Sequence, residues 1–199
     1  MTRFLLIRHA TTDAVGKHLS GRTAGVSLNE EGKFQAEKLA ERLANIPIAA
    51  IYSSPLERAI ETAEPLSRIH NLPIIKAYDF LEIDFGKWTN REFKDLEGEA
   101  EFKLFNSFRS SSRIPEGELM LEAQARIITG LEKLRMHQDK TVAIVSHSDL
   151  IKSAIAYYLG THLDMFQRIE ISPASVSIVE LYDETARISL LNHTGDVEF

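Results

Sequence analysis

Two short runs, Thr2–Ile7 (TRFLLI) and Thr141–Val145 (TVAIV), are apolar nearly throughout instead of alternating, and each ends two residues before a histidine. A strand with one wet face alternates in polarity, whereas a strand covered on both faces does not. The pair therefore predicts buried strands of a sheet covered on two sides. Ala49–Tyr52 is a third candidate strand and Pro73–Ile75 a weaker fourth, with helical spacing between them. That alternation is the pattern of an α/β protein.

Asn29 can cap a helix whose first turn holds Glu30 and Glu31, and Ala36, Leu39, Ala40 and Leu43 repeat at helical steps, giving a helix over 30–45. Ser54, Pro55 and Glu57 read as a capping box with proline at the first helical position, which places Arg58 in the first turn. Pro65 is expected to kink that helix or end it near Ala63. Residues 118–137 read as a long amphipathic helix with Leu121, Ala125, Ile128 and Leu131 on the buried face, and 149–159 as another, ended by Gly160. The tail changes period. Residues 175–181 and 187–191 flank the turn signal Asp183-Glu184 and predict a closing hairpin.

Residues 80–115 are polar and loop-rich, yet they hold Phe85, Trp88, Phe93, Phe102, Phe105 and Phe108. They read as an insertion of short helices whose rings form a satellite core. If the rings line a pocket mouth instead, the ligand has an apolar part. The 199 residues fit one domain, 1–199, with that insertion inside it.

The formal charge of -6 and the pI near 5.7 argue against a nucleic-acid binder, which needs a surplus of cations to displace counterions. Any anion site must be local. There is no apolar run long enough to span a membrane, and MTRFLLIRHA reaches Arg8 too soon for a secretory signal. A cytoplasmic protein is expected. The absence of cysteine removes disulfides, thiolate metal sites and cysteine nucleophiles.

In open α/β sheets ligands gather outside the carboxyl ends of the strands. Here one strand end gives Arg8-His9, a second leads into Arg58, and a third gives Ser146-His147-Ser148. Two guanidiniums, two imidazoles and a pair of helix N-termini suit a phosphate dianion. A neutral imidazole held through one nitrogen is a competent nucleophile toward phosphorus through the other, and His9 has the position for it. The arginines would stabilise the equatorial oxygens of the transferring group. Glu82 is the candidate proton donor, and Asp84, close by, reads as a surface carboxylate. His18, His70, His137, His162 and His193 read as packing or solvent-facing, and no histidine pair has the helix spacing of a zinc site.

At these residues the chain resembles the histidine phosphatase superfamily, which includes cofactor-dependent phosphoglycerate mutases, α-ribazole phosphatases and broad-specificity phosphatases. The matching pieces run in family order: LLIRHATT, SGRTAGVSLNEEGKFQAEKLAERL, IYSSPLERAIETAEPL, LEIDFGKW, PEGE and VSHSDLIKSAI. The resemblance implies a phosphoglycerate mutase-like, three-layer α/β/α sandwich with a mostly parallel central sheet. It implies His9 as phosphorylated nucleophile, Glu82 as proton donor, and Arg8, Arg58 and His147 as the rest of the phosphate pocket. Arg22 in GRT resembles a substrate-contacting residue, and Thr12 and Ser148 join the expected substrate-binding set. Glu118 matches a family position at the start of its helix. No metal or organic cofactor is implied.

Two departures stand out. Ala10 replaces the glycine usual after the histidine, and the asparagine often found a few residues later has no counterpart in Asp13-Ala14-Val15-Gly16. The expected activity is hydrolysis of small phosphorylated metabolites. A mutase is the rival within the same chemistry, disfavoured because family mutases tend to be longer. A non-catalytic binder of phosphometabolites is the rival of another class. A homodimer is left open by the sequence.

Overall fold

The computed structural model describes residues 1–196. In chain order the regular elements are β1 (Thr2–Arg8), α1 (Glu30–Leu43), β2 (Ile48–Ser53), α2 (Glu57–His70), β3 (Ile74–Lys76), α3 (Phe93–Leu96), α4 (Ala100–Ser107), α5 (Met120–Lys133), β4 (Thr141–Ser146), α6 (Ser148–Tyr158), β5 (Val176–Leu181) and β6 (Ala186–His193). The six strands form one sheet in the order β3-β2-β4-β1-β5-β6. The pairs β3/β2, β2/β4 and β4/β1 are parallel, and β5 and β6 add antiparallel ribbon to one edge.

The apolar runs behave as their composition requires. Phe4, Leu6, Val142 and Ile144 point into a core shared with α5, α6 and the 80–115 stretch. Their alternates Leu5, Ile7, Ala143 and Val145 point into a second core shared with α1 and α2. Successive strand residues face opposite sides, so a strand between two cores has no position left for a polar residue. The result is a three-layer α/β/α sandwich. Among the described residues no helix is long and apolar enough to cross a membrane.

Local signals succeed where their partners are backbone. Asn29 Oδ1 accepts from the Gly32 N–H at 2.9 Å and caps α1, whose buried stripe is Ala36, Leu39, Ala40 and Leu43. The β5–β6 hairpin closes through the Tyr182 N–H and the Thr185 carbonyl at 2.8 Å, around Asp183-Glu184.

Three expectations are corrected. Ser54 does not form the capping box, since α2 begins at Glu57 after an extended Leu56 and the Ser54 hydroxyl turns to His147. Of the two outcomes expected at Pro65, the early end near Ala63 does not occur, and α2 runs on to His70. Ala59, Ala63, Pro65 and Leu66 are buried, and this packing outweighs the backbone hydrogen bond that a proline forfeits. The buried face of α5 is Met120, Ala123, Ile127, Gly130 and Leu131, while Leu121 is 44% exposed and Ala125 also faces solvent. Gly130 lies on that buried face. A Cβ there would lie 2.6 Å from Asp79 Cβ, so the missing side chain lets the helix press onto the turn Tyr78–Phe80, a contact that hydropathy spacing does not register.

The 80–115 stretch is irregular, with short turns and the small helices α3 and α4. Its Phe80, Phe85, Trp88, Phe102 and Phe105 join the main core on the α5/α6 side and do not form a satellite. Trp88 meets Phe102 and Phe105 edge to face, with centroids 5.2 and 5.3 Å apart.

Candidate active site

Three adjacent parallel strands, β2, β4 and β1, end side by side. Ladder bonds continue past their ends into the site: the His9 N–H donates to Ser146 O at 2.9 Å, and the Ser54 N–H to Val145 O at 2.9 Å. The positions of His9, Ser54 and His147 are thereby tied to the sheet itself. This is the crevice where helices α1/α2 lie on one face and α5/α6 on the other, the usual ligand position of an open sheet.

His9 is buried, with 6% of its surface exposed. Its Nδ1 lies 2.8 Å from the Ala10 carbonyl. A carbonyl only accepts, so Nδ1 carries the proton and Nε2 keeps its lone pair in the neutral ring. Burial, then Arg58 and Arg8, hold the imidazole well below the usual histidine range, at about 3. At neutral pH the ring is uncharged. His147 sits with its ring centroid 5.2 Å from that of His9, inclined by 61°, and is fully buried. Burial and Arg58 push its pKa well down too.

Arg8 and Arg58 each spend one end of the guanidinium on the protein. Arg8 Nη1 donates to Ile171 O at 2.7 Å and Arg58 Nη2 to Gly21 O at 2.8 Å. Arg8 Nε, Arg58 Nη1 and His147 Nδ1 are buried without a hydrogen-bond partner among the described residues. Buried donors of this kind are costly unless a ligand takes them. Both arginines and His9 line a cavity of about 410 Å³.

Glu82 lines the same cavity. Its Oε1 accepts from the Ile83 N–H at 2.9 Å and its Oε2 lies 3.7 Å from His147 Nδ1. Burial and the nearby Asp149 raise its carboxyl to about 7, against the opposing pull of Arg58 and Arg8. Near neutrality it is half protonated, the state of a group able both to give and to take a proton.

Thr12 and Ser148 line the cavity, Thr12 buried and Ser148 in the first turn of α6. Arg22 is placed elsewhere. Its Nε donates to the Glu82 carbonyl at 2.8 Å and its Nη2 to Glu118 Oε2 at 2.8 Å, and it is not among the lining residues. Arg126 grips the same Glu118 oxygen at 3.1 Å and the Leu81 carbonyl at 2.6 Å. The two arginines and Glu118 clamp the backbone that carries Glu82. Asp84 faces Arg22 at 3.7 Å and turns away from the cavity.

Ala10 fits without strain. It is fully buried against the α1/α2 core, its backbone is not left-handed, and its N–H donates to Thr62 Oγ1 at 2.9 Å. Where the family asparagine is missing, Ala14, Val15 and Gly16 form the wall.

The outer cavity joins Arg109, which the sequence did not single out, to phenylalanines that it offered as a pocket mouth. Arg109 is 5% exposed, with its guanidinium 4.4 Å from the Phe105 and Phe166 ring centroids. It pairs with Asp149 at 3.3 Å and donates to Asn106 Oδ1 at 2.6 Å. Phe85, Phe93, Phe102 and Phe105 line this part, with His18 also on the wall. No spacing rule marks Arg109, because its partners come from α4, α6 and the turn after α6. Of the other histidines, His70 meets Leu43 O, His137 the Tyr52 hydroxyl, His162 Asp164 and His193 Asp196 O.

Strand ends carrying a paired imidazole set and spare guanidinium donors define a class of phosphoryl-transfer fold. The chain belongs to the histidine phosphatase superfamily (branch 1), which it matches over residues 4–194. It is similar to phosphoserine phosphatase 1 of Hydrogenobacter thermophilus, 30% identical over 200 residues, 98% of this chain and 93% of the relative. It is also similar to a bifunctional protein of Mycobacterium tuberculosis, 33% identical over 98% of this chain but 54% of the relative, so the chain spans about half the length of that protein. A 2,3-bisphosphoglycerate-dependent phosphoglycerate mutase of Thermoplasma acidophilum is 27% identical over 94% of this chain and 90% of its own. The structure of YhfR from Bacillus stearothermophilus superposes with a TM-score of 0.91 at 27% identity, covering 100% of this chain and 98% of that one. The relatives include both phosphatases and a mutase.

Proposed function

We propose that the protein is a phosphatase that hydrolyses small phosphorylated metabolites through a phosphohistidine on His9, with residues 1–199 acting as one domain and the 80–115 stretch as its specificity insertion. The observation that carries this reading is the fixed orientation of His9, with Nδ1 held by the Ala10 carbonyl and Nε2 left for chemistry beside two arginines with spare donors.

In the first step His9 Nε2 attacks phosphorus, the P–O bond to the leaving group breaks, and protonated Glu82 gives its proton to the departing oxygen. The Arg8, Arg58 and His147 donors hold the equatorial oxygens, on which charge accumulates. In the second step Glu82, now a carboxylate, takes a proton from water as that water attacks phosphorus, the N–P bond breaks, and orthophosphate leaves. Glu82 thus ends each cycle protonated, as a carboxyl with a pKa of about 7 can.

Hydrolysis is preferred over mutase chemistry because of the outer cavity. A bisphosphorylated intermediate needs a second anion site, and the arginine there, Arg109, is already paired with Asp149 beside four phenylalanines. The test is a panel of phosphorylated metabolites, with release of orthophosphate as readout, and 3-phosphoglycerate plus 2,3-bisphosphoglycerate as the mutase arm. Release of phosphate from a monoester supports the proposal. Isomerisation of 3-phosphoglycerate without net release replaces it with the mutase, and tight ester binding with no turnover at any pH replaces it with a sensor.

A further inference from the structure

Ser54 is fully buried, and its backbone is anchored to β4. Its hydroxyl oxygen accepts from the Leu56 N–H at 3.4 Å and lies 2.8 Å from His147 Nε2. A serine hydroxyl has one proton to give, and with the Leu56 N–H already pointing at its oxygen, that proton's acceptor within reach is His147 Nε2. An imidazole nitrogen that accepts is unprotonated, so the neutral ring must carry its proton on Nδ1. The opposite assignment leaves the buried Ser54 proton without an acceptor among the described residues. Nδ1 is itself buried without a hydrogen-bond partner, and the nearby Glu82 Oε2, at 3.7 Å, is beyond hydrogen-bond reach.

We propose that Ser54 is a positioning residue: it locks neutral His147 as the Nδ1–H tautomer, so that a neutral imidazole presents a hydrogen-bond donor to a phosphoryl oxygen. The functional part rests on the phosphatase reading above, and the tautomer does not. The device suits a site already holding two guanidiniums. A third full cation would be expensive to bury beside Arg8 and Arg58, whereas a neutral N–H adds a directed donor without that repulsion.

Protein labelled with ¹⁵N-histidine tests this by two-bond proton–nitrogen correlation, with His147→Gln identifying the His147 signals. The expected wild-type spectrum has a protonated, pyrrole-like Nδ1 and a pyridine-like Nε2. In Ser54→Ala the preference relaxes toward a mixture, and kcat on p-nitrophenyl phosphate falls about 10- to 100-fold with KM changing less, as for a donor felt mainly in the transition state. A wild-type His147 protonated on Nε2 overturns the proposal, and so does an unchanged tautomer in Ser54→Ala. Should that variant not fold, the wild-type spectrum decides alone. The expected tautomer in a protein that turns over no phosphate ester sustains the Ser54 assignment and removes the phosphatase reading.

Discussion

The floor and the outer wall of the cavity are built on different principles. On the floor, His9, Ser54, Arg58 and His147 stand at or just past the ends of three adjacent strands, and ladder hydrogen bonds reach into the site. On the wall, Phe85, Phe93, Phe102, Phe105 and Arg109 come from turns and two small helices outside the sheet. The floor is positioned by the ladder of the sheet, and the wall by side-chain packing together with loop hydrogen bonds such as that from the Phe93 N–H to Lys17 O at 3.0 Å. A scaffold that fixes the reaction while leaving the leaving-group chamber to loops can change substrate without disturbing the chemistry. Substitutions should therefore divide in kind: floor variants lose turnover on every ester, and wall variants lose it selectively.

The largest effect is expected from His9→Ala. Steady-state hydrolysis of p-nitrophenyl phosphate should fall by about 10⁴-fold or more while circular dichroism is unchanged, since no other group can take the phosphoryl. Arg58→Met comes next. It keeps much of the buried volume but removes the spare donor, and kcat/KM should fall about 10³-fold on all esters alike. Loss confined to one ester would break the division between floor and wall.

Glu82→Gln should cost about 10²- to 10³-fold on alkyl phosphates and clearly less on p-nitrophenyl phosphate, whose leaving group needs little help from an acid. In the wild type, kcat/KM should rise as His9 loses its proton near pH 3 and fall as Glu82 loses its own near pH 7; the variant should lose the alkaline limb. The same substitution reports on stability. The folded-state pKa of Glu82 lies above its unfolded value, so the folded form binds more protons between the two, and wild-type stability from this group falls as pH rises from about 4.5 to about 7. Glu82→Gln should thus be the more stable protein at pH 8, by up to about 3 kcal/mol, with the gain vanishing below pH 4, as read from denaturant midpoints.

The smallest effect is expected on the wall. Phe102→Ala should raise KM for an aromatic phosphate about 10-fold and leave inhibition by orthophosphate unchanged, because orthophosphate occupies the floor alone. A comparable change for both ligands would mean that the wall also shapes the floor.

The same contrast explains what could be read from the chain beforehand. Unalternating runs at Thr2–Ile7 and Thr141–Val145 are a direct consequence of burial on two faces, and the sheet, both helical layers and the residues at the strand ends followed from them. Asn29 and the Asp183-Glu184 turn were legible because their partners are a few residues away. What failed depended on distant partners. Ser54 looked like a cap because the competing His147 lies 93 positions along the chain. For Arg22, expected at the substrate, the motif shows neither its bond to Glu118, 96 positions away, nor its bond to the Glu82 backbone. Hydropathy spacing does not reveal the buried face of α5, because close approach through Gly130 counts for nothing on that scale. Arg109 gave no signal, since a guanidinium held between Phe105 and Phe166 is a product of folding and not of spacing.

The most direct measurement of the central claim is a rapid acid-free quench of wild-type protein during turnover of a ³²P-labelled monoester, followed by peptide mapping of the label. The account predicts a base-stable, acid-labile phosphoryl group on the peptide that contains His9, absent from His9→Ala. Label that survives acid, or that maps to His147 instead, would contradict it.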